Sequence, residues 1–183
     1  MFDRIGIVLA GGRSNRFGSD KFIHRVDGVE MGLRAVRALS PVVERVLVAG
    51  RESIPESWGA TAVFGTREGS GPLGAILDAV DHLPGRVIAV LPCDMPYFDA
   101  ASASELCGAL ESTGCDAAFA TVSLQTEPQW LAAAWTSNAL EEHVRPFFER
   151  GGRSVRDAAK ILRHTLVTLP DRDLTNVNEL ADV

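Results

Sequence analysis

The chain has 183 residues, a formal net charge of -6, 46% hydrophobic and 23% charged side chains, and a mean hydropathy of +0.08. At roughly 150 residues per domain this predicts one domain spanning residues 1–183, with apolar material enough for a core, so disorder is not expected. The acidic balance argues against nucleic acid, whose affinity depends on Lys and Arg neutralising phosphates; no apolar run approaches the roughly 18 residues of a membrane span, and Met1-Phe2-Asp3-Arg4 carries no signal-peptide pattern, so a cytoplasmic protein with no membrane partner is expected.

Ile5 to Ala10 is a short, β-branched apolar run closed by Gly11-Gly12, which reads as a buried strand ending at a turn. Met31, Leu33, Ala35, Val36, Ala38 and Leu39 then fit a helical face ending at Ser40-Pro41, and Val46 to Ala49 is a second strand before Gly50. The pattern recurs: strand Ala62-Val63-Phe64, loop Gly65 to Gly71, a helix from about Pro72 to Leu83, and strand Val87 to Leu91. After Pro92-Cys93-Asp94-Met95-Pro96 come a helix from Ala100 to Leu110, ended near Gly114, and a strand from Ala117 to Val122. Trp130 to Trp135 reads as an edge or antiparallel strand, Ala139 to Arg150 and Val155 to Leu162 as helices, and Thr165 to Leu169 as a last short strand, with a loop and helix start from Asn176. Alternation of this kind predicts an α/β fold, with right-handed crossovers and a mainly parallel sheet covered on both faces. Ligands of such sheets sit beyond the carboxyl ends of the strands.

The most informative stretch is Leu9 to Lys21. Glycines after a buried strand let backbone N–H groups turn toward a phosphate, and residues 11–25 hold Arg13, Arg16, Lys21 and Arg25 against Asp20, a local charge of +3 in an acidic chain. The stretch lacks G-x-G-x-x-G, because Gly11 and Gly12 are adjacent, and it is not a P-loop, because five residues separate Gly12 from Gly18 and Ser19 follows. An ordinary surface loop with solvated cations is the competing reading. Asp94, between Pro92 and Pro96, stands at a strand's carboxyl end; it suits a hard cation such as Mg2+, or alternatively a turn or helix cap, a role for which Asp99 competes.

Taken together, Leu9-Ala10-Gly11-Gly12 with Arg16, Gly18 and Lys21, Gly71-Pro72-Leu73-Gly74, Cys93-Asp94-Met95-Pro96 and Asn176-Val177-Asn178 resemble the MobA-like nucleotidyltransferases, in order along nearly the whole chain. The resemblance implies a Rossmann-like three-layer α/β/α fold, with a mainly parallel sheet and an antiparallel edge. It also implies an enzyme that joins GMP from GTP to the phosphate of molybdopterin, releases pyrophosphate and requires Mg2+. Carried over residue by residue, Leu9, Ala10, Gly11, Gly12, Lys21 and Asp94 bind the nucleotide, Asp94 holds the metal, and Lys21, Asp94 and Arg16 carry the catalysis. Gly71, Pro72, Gly74, Asn176 and Asn178 fall on the pterin side. Molybdoenzymes or cofactor-synthesis proteins are the implied partners.

Two positions depart from the family's pattern: Ala49-Gly50 stands where an Asn is usual after the second strand, and Phe64-Gly65-Thr66 where an Asp is usual after the next. Base preference, GTP or CTP, therefore stays open, as do another phosphorylated acceptor and a noncatalytic module that holds nucleotide or pterin. Cys93, Cys107 and Cys115 are an odd set without C-x-x-C, expected to be buried hydrophobes rather than a disulfide or zinc framework. His24, His82, His143 and His164 are unclustered, and Trp130, Trp135, Phe147 and Phe148 are expected in the core rather than stacked on a ligand.

Overall fold

The apolar runs become strands and the periodic segments helices, in the order β1 (Phe2–Leu9), a 3-10 turn (Lys21–Ile23), β2 (Arg25–Val26), β3 (Val29–Glu30), α1 (Met31–Leu39), β4 (Arg45–Ala49), a second 3-10 turn (Glu56–Trp58), β5 (Thr61–Val63), α2 (Gly71–His82), β6 (Gly85–Pro92) and α3 (Ala100–Thr113). Next come β7 (Ala117–Thr121), β8 (Gln129–Thr136), α4 (Ser137–Ala139), a π-helical turn (Leu140–Val144), α5 (Arg145–Glu149), α6 (Val155–Ala159), β9 (His164–Thr168) and a last 3-10 turn (Asp171–Leu174). The computed structural model describes residues 2–10, 20–67 and 69–177. Gly11, Gly12, Arg16 and Asn178 lie outside the described residues, as does the expected helix start beyond Asn178.

Seven strands form one sheet in the order β5-β4-β1-β6-β8-β7-β9, and β2-β3 is a separate hairpin. The pairings of β1 with β4 and β6, of β4 with β5 and of β7 with β9 are parallel, while β8 is antiparallel to both β6 and β7. The mainly parallel expectation holds, but the antiparallel strand is internal rather than at an edge. Its residues explain this. Ala133 and Trp135 pack into one core and Ala132 and Ala134 into the other, so both faces are apolar and both must be covered. The edge belongs to β9, whose terminal His164 and Thr168 are exposed.

Alternate residues of each strand feed the two cores. Ile5, Ile7, Ile88 and Val90 pack with Leu73, Ile76 and Leu77 of α2 and with α4 to α6. Val8, Val87, Ala89 and Leu91 pack with Val36 and Leu39 of α1 and Leu106 and Leu110 of α3. This period of two, with helices on each side, is the three-layer α/β/α arrangement. Asp99 caps α3, its Oδ1 accepting from the Ser102 N–H at 2.9 Å, and Gly114 ends it at φ +63°. The helix expected over 139–150 begins at Ser137 and contains the π turn, where the Arg145 N–H reaches back to the Leu140 carbonyl. Pro146 follows, with no N–H for the carbonyl four residues back, and a widened turn is a usual place for such a register change. Among the described residues, no helix is long and apolar enough to cross a membrane.

Gly32 of α1 faces the ring of Phe22, which lies 2.4 Å from where a Cβ would stand. Alanine in a helix ordinarily stabilises relative to glycine. Gly32→Ala should here do the opposite, costing about 1–3 kcal/mol because the ring must move; a urea midpoint at or above that of the parent protein would contradict this packing.

Candidate functional site

The carboxyl ends of four adjacent strands, β5, β4, β1 and β6, open onto one cleft of about 1200 Å³. Backbone hydrogen bonds run past the strand ends and stiffen its floor: Ala10 N–H donates to Ala49 O at 2.9 Å, Gly50 N–H to Val63 O at 2.9 Å and Cys93 N–H to Leu9 O at 3.1 Å. Leu9, Ala10, Lys21, Gly71, Pro72 and Asp94, all singled out in the sequence, line this cleft. Gly74 does not; it is buried in α2, where a Cβ would stand 2.9 Å from Cβ of Ser70. Asn176 also stands outside the lining, its side-chain amide donating to Gln129 Oε1 at 3.4 Å. Its neighbour Val177 donates its N–H to the Asp94 carbonyl at 2.9 Å, so the 176–177 segment borders the Asp94 turn.

Lys21 and Asp94 meet across the cleft, with Nζ 3.3 Å from Oδ2 and both side chains largely buried. Lys21 opens the first 3-10 turn, which Asp20 caps through Oδ1 from the Phe22 N–H at 3.1 Å. Asp94 follows β6 directly, and with Asp99 serving as the α3 cap its carboxylate is left to the cleft. The opposite wall is α2 and the loop before it. Gly71, at φ +74°, has a conformation that side chains disfavour, and Pro72 occupies the first turn of the helix.

Among the charged lining residues, sequence reasoning did not single out Arg51, Arg67 and Asp78. Arg51 holds Asp20 in a two-pronged ion pair, Nη1 to Oδ2 at 2.5 Å and Nη2 to Oδ1. Those prongs hold the Asp20 carboxyl below its ordinary range. Asp78 accepts from the Arg67 backbone N–H at 3.1 Å and from Nη1 at 2.7 Å. Its carboxylate lies 2.0 Å from where a Cβ on Gly65 would stand. A carboxylate thus reaches the end of β5 from α2, and Gly65 is the residue that makes room for it. The same rule that located Asp94, a charged residue just past a strand's carboxyl end, applies to Arg51.

The other candidate groups fall away from the cleft or are chemically quiet. Burial, reinforced by the neighbouring Asp94, pushes the Cys93 thiol up to about 12, and burial pushes Cys107 up to about 11. Trp135 and Phe148 are core residues, and Trp130 packs edge-on to Phe119 with its indole N–H on Glu127. None of the four histidines lines the cleft. Among the described residues no cluster of three or more His, Cys, Asp or Glu is placed to hold a metal. Asp20 and Asp78 are each held by an arginine at 2.7 Å or less, whereas Asp94 meets the Lys21 nitrogen at 3.3 Å, so Asp94 is the hard oxygen donor that could hold a cation which completes its shell with water and substrate oxygens.

Residues 6–166 match the family model of the MobA-like NTP transferase domain. The chain is 31% identical over 179 residues to a molybdenum cofactor guanylyltransferase of Burkholderia ambifaria, a match covering 92% of this chain and 86% of that one. Among solved structures it superposes on molybdopterin-guanine dinucleotide biosynthesis protein A of Archaeoglobus fulgidus with a TM-score of 0.79 at 21% identity, covering 97% and 94% of the two chains. It also superposes on 2-C-methyl-D-erythritol 4-phosphate cytidylyltransferase of Thermus thermophilus with a TM-score of 0.76 at 14% identity, again over 97% and 94%. At these identities the two superpositions bear on fold alone.

A neutral, buried thiol reacts slowly. Iodoacetamide at pH 8 should therefore label the partly exposed Cys115 and spare Cys93 and Cys107 in the native protein, as read by peptide mass spectrometry; rapid labelling of Cys93 would contradict its burial.

Proposed function

The chain belongs to the MobA-like NTP transferase family, and on that premise we propose that it transfers GMP from GTP to the phosphate of molybdopterin, releasing pyrophosphate. The guanylyltransferase relative at 31% identity over most of both chains supports this reading. The observation that carries it is the Lys21–Asp94 pair, at 3.3 Å across a cleft beyond the strand ends: one cation and one hard oxygen donor placed together where a triphosphate has to be gripped.

The attacking group is the acceptor's own phosphate, which with a second pKa of about 6 is ionised at neutral pH. Its oxygen forms a bond to the α-phosphorus of GTP while the bridging oxygen to the β-phosphorus leaves with pyrophosphate. No protein nucleophile takes part, in keeping with the protonated Cys93 thiol. Lys21 offsets the charge that grows on the departing pyrophosphate, and its place is set before substrate arrives, so little reorganisation is needed. Asp94 would hold Mg2+ through a carboxylate oxygen, and the ion would supply further charge neutralisation between donor phosphates. Leu9 and Ala10 bound the nucleotide, a role that the family resemblance extends to Gly11, Gly12 and Arg16, outside the described residues. Gly71 and Pro72 form the pterin-side wall. Gly74 serves that wall indirectly, by letting α2 pack against the turn at Ser70, and Asn176 belongs to the segment tied to Asp94 through Val177. The free cysteines fit a reducing, cytoplasmic setting.

Asp94→Ala and Lys21→Met should each lower pyrophosphate release from GTP, Mg2+ and molybdopterin by about 100-fold or more. Their unfolding free energies from urea titration should stay within about 0.5 kcal/mol of the parent, as expected for side chains at a cleft rather than in the core. Undiminished turnover by Asp94→Ala would contradict the assignment.

A further inference from the structure

We propose that Arg51 is the positioning residue for Lys21 and that it acts through Asp20; this rests on reading the cleft as a nucleoside triphosphate site. Gly50, at φ +92°, turns the chain after β4 so that Arg51 lies along the cleft. There both terminal guanidinium nitrogens engage the Asp20 carboxylate, and the guanidinium carbon sits 4.5 Å from the centre of the Phe22 ring. Asp20 and Phe22 are the two neighbours of Lys21 in the chain, so one side chain holds both flanks of the lysine.

The flanks are fixed from other directions as well. Asp20 Oδ1 accepts from the Phe22 N–H, and the turn is closed by Ile23 N–H on Asp20 O at 3.2 Å and His24 N–H on Lys21 O at 3.1 Å. The Phe22 ring fills the gap left by Gly32 and packs on Trp58 with ring centres 5.1 Å apart. The backbone of Lys21 is thereby clamped between a charge pair and an aromatic contact. What remains to be placed is a flexible four-carbon stem, whose Nζ arrives 3.3 Å from Asp94. Both Arg51 prongs being committed to Asp20, its influence on an anion in the cleft passes through Lys21 and not through direct contact. An arginine is required for this, because only its planar fork can meet both carboxylate oxygens while lying on a ring.

The test is equilibrium binding of GTP and of CTP, each with Mg2+ and without acceptor, by titration calorimetry on the full chain. Arg51→Met should weaken nucleotide binding about tenfold, as should Asp20→Asn, and Arg51→Lys should not restore it. The deciding comparison is the cycle with Lys21→Met: adding Arg51→Met to Lys21→Met should cause no further loss, since residues acting as one unit are not additive. A combined loss near the product of the two single losses would overturn the proposal by showing that Arg51 acts on its own, through direct contact or general stability. So would parent-like binding by Arg51→Met. Should Arg51→Met fail to fold, the same cycle is run with the isosteric Asp20→Asn. Absence of binding of either nucleotide to the parent protein would overturn the proposed function along with this inference, whereas parent binding with additive variants would overturn this inference alone.

Discussion

A parallel sheet with helices on both faces must bury each inner strand, and this constraint decides where chemistry can take place. In β1, β4 and β6 the residues that face one core alternate with those that face the other, so their side chains are consumed by packing. The charged residues of the cleft therefore stand just past the strand ends, as Arg51 and Asp94 do, or on the turn and helix that face those ends, as Lys21 and Asp78 do. There the hydrogen bonds from Ala10, Gly50 and Cys93 continue the sheet one residue further, which gives Asp94 and Arg51 a rigid base although both lie in loops.

The described cleft is electrically balanced. Lys21, Arg51 and Arg67 are matched by Asp94, Asp20 and Asp78, and Arg67 reaches Asp81 as well. Two of these pairs also shape the backbone around the cleft. Arg51 with Asp20 sets the turn that begins at Lys21, and Arg67 with Asp78 fixes the loop before α2. The Lys21–Asp94 pair joins the first 3-10 turn to the loop after β6 across the cleft.

Much of the fold is legible in the sequence because its strands are continuous apolar runs bounded by glycine or proline, as at 46–49 and 87–91. The position of β8 is less legible: a run of alanines between two tryptophans shows apolar character but not which neighbours will cover it, and only the register with β6 and β7 shows it to be internal. The β2-β3 hairpin escaped the sequence reading although its signal is present, since Asp27 and Gly28 adopt φ +50° and +78°, as a two-residue type I′ turn requires. Asp94 and Lys21 are legible through their places beside a strand end and a glycine loop. Asp78 is not, because it lies on a helix whose apolar spacing gives no hint that one acidic side chain turns back over Gly65. Nor is the Asp20–Arg51 pair, whose members are 31 positions apart and meet only because β1 and β4 are neighbours.

The most direct measurement is pyrophosphate release by the purified protein with Mg2+ and molybdopterin, comparing GTP, CTP, ATP and UTP side by side. Release with GTP should be at least about tenfold faster than with any of the others, a margin that one well-placed pair of hydrogen bonds supplies. Equal or faster release with CTP would contradict the transfer of GMP in preference to CMP, and no release with any nucleotide would contradict the proposed transfer itself.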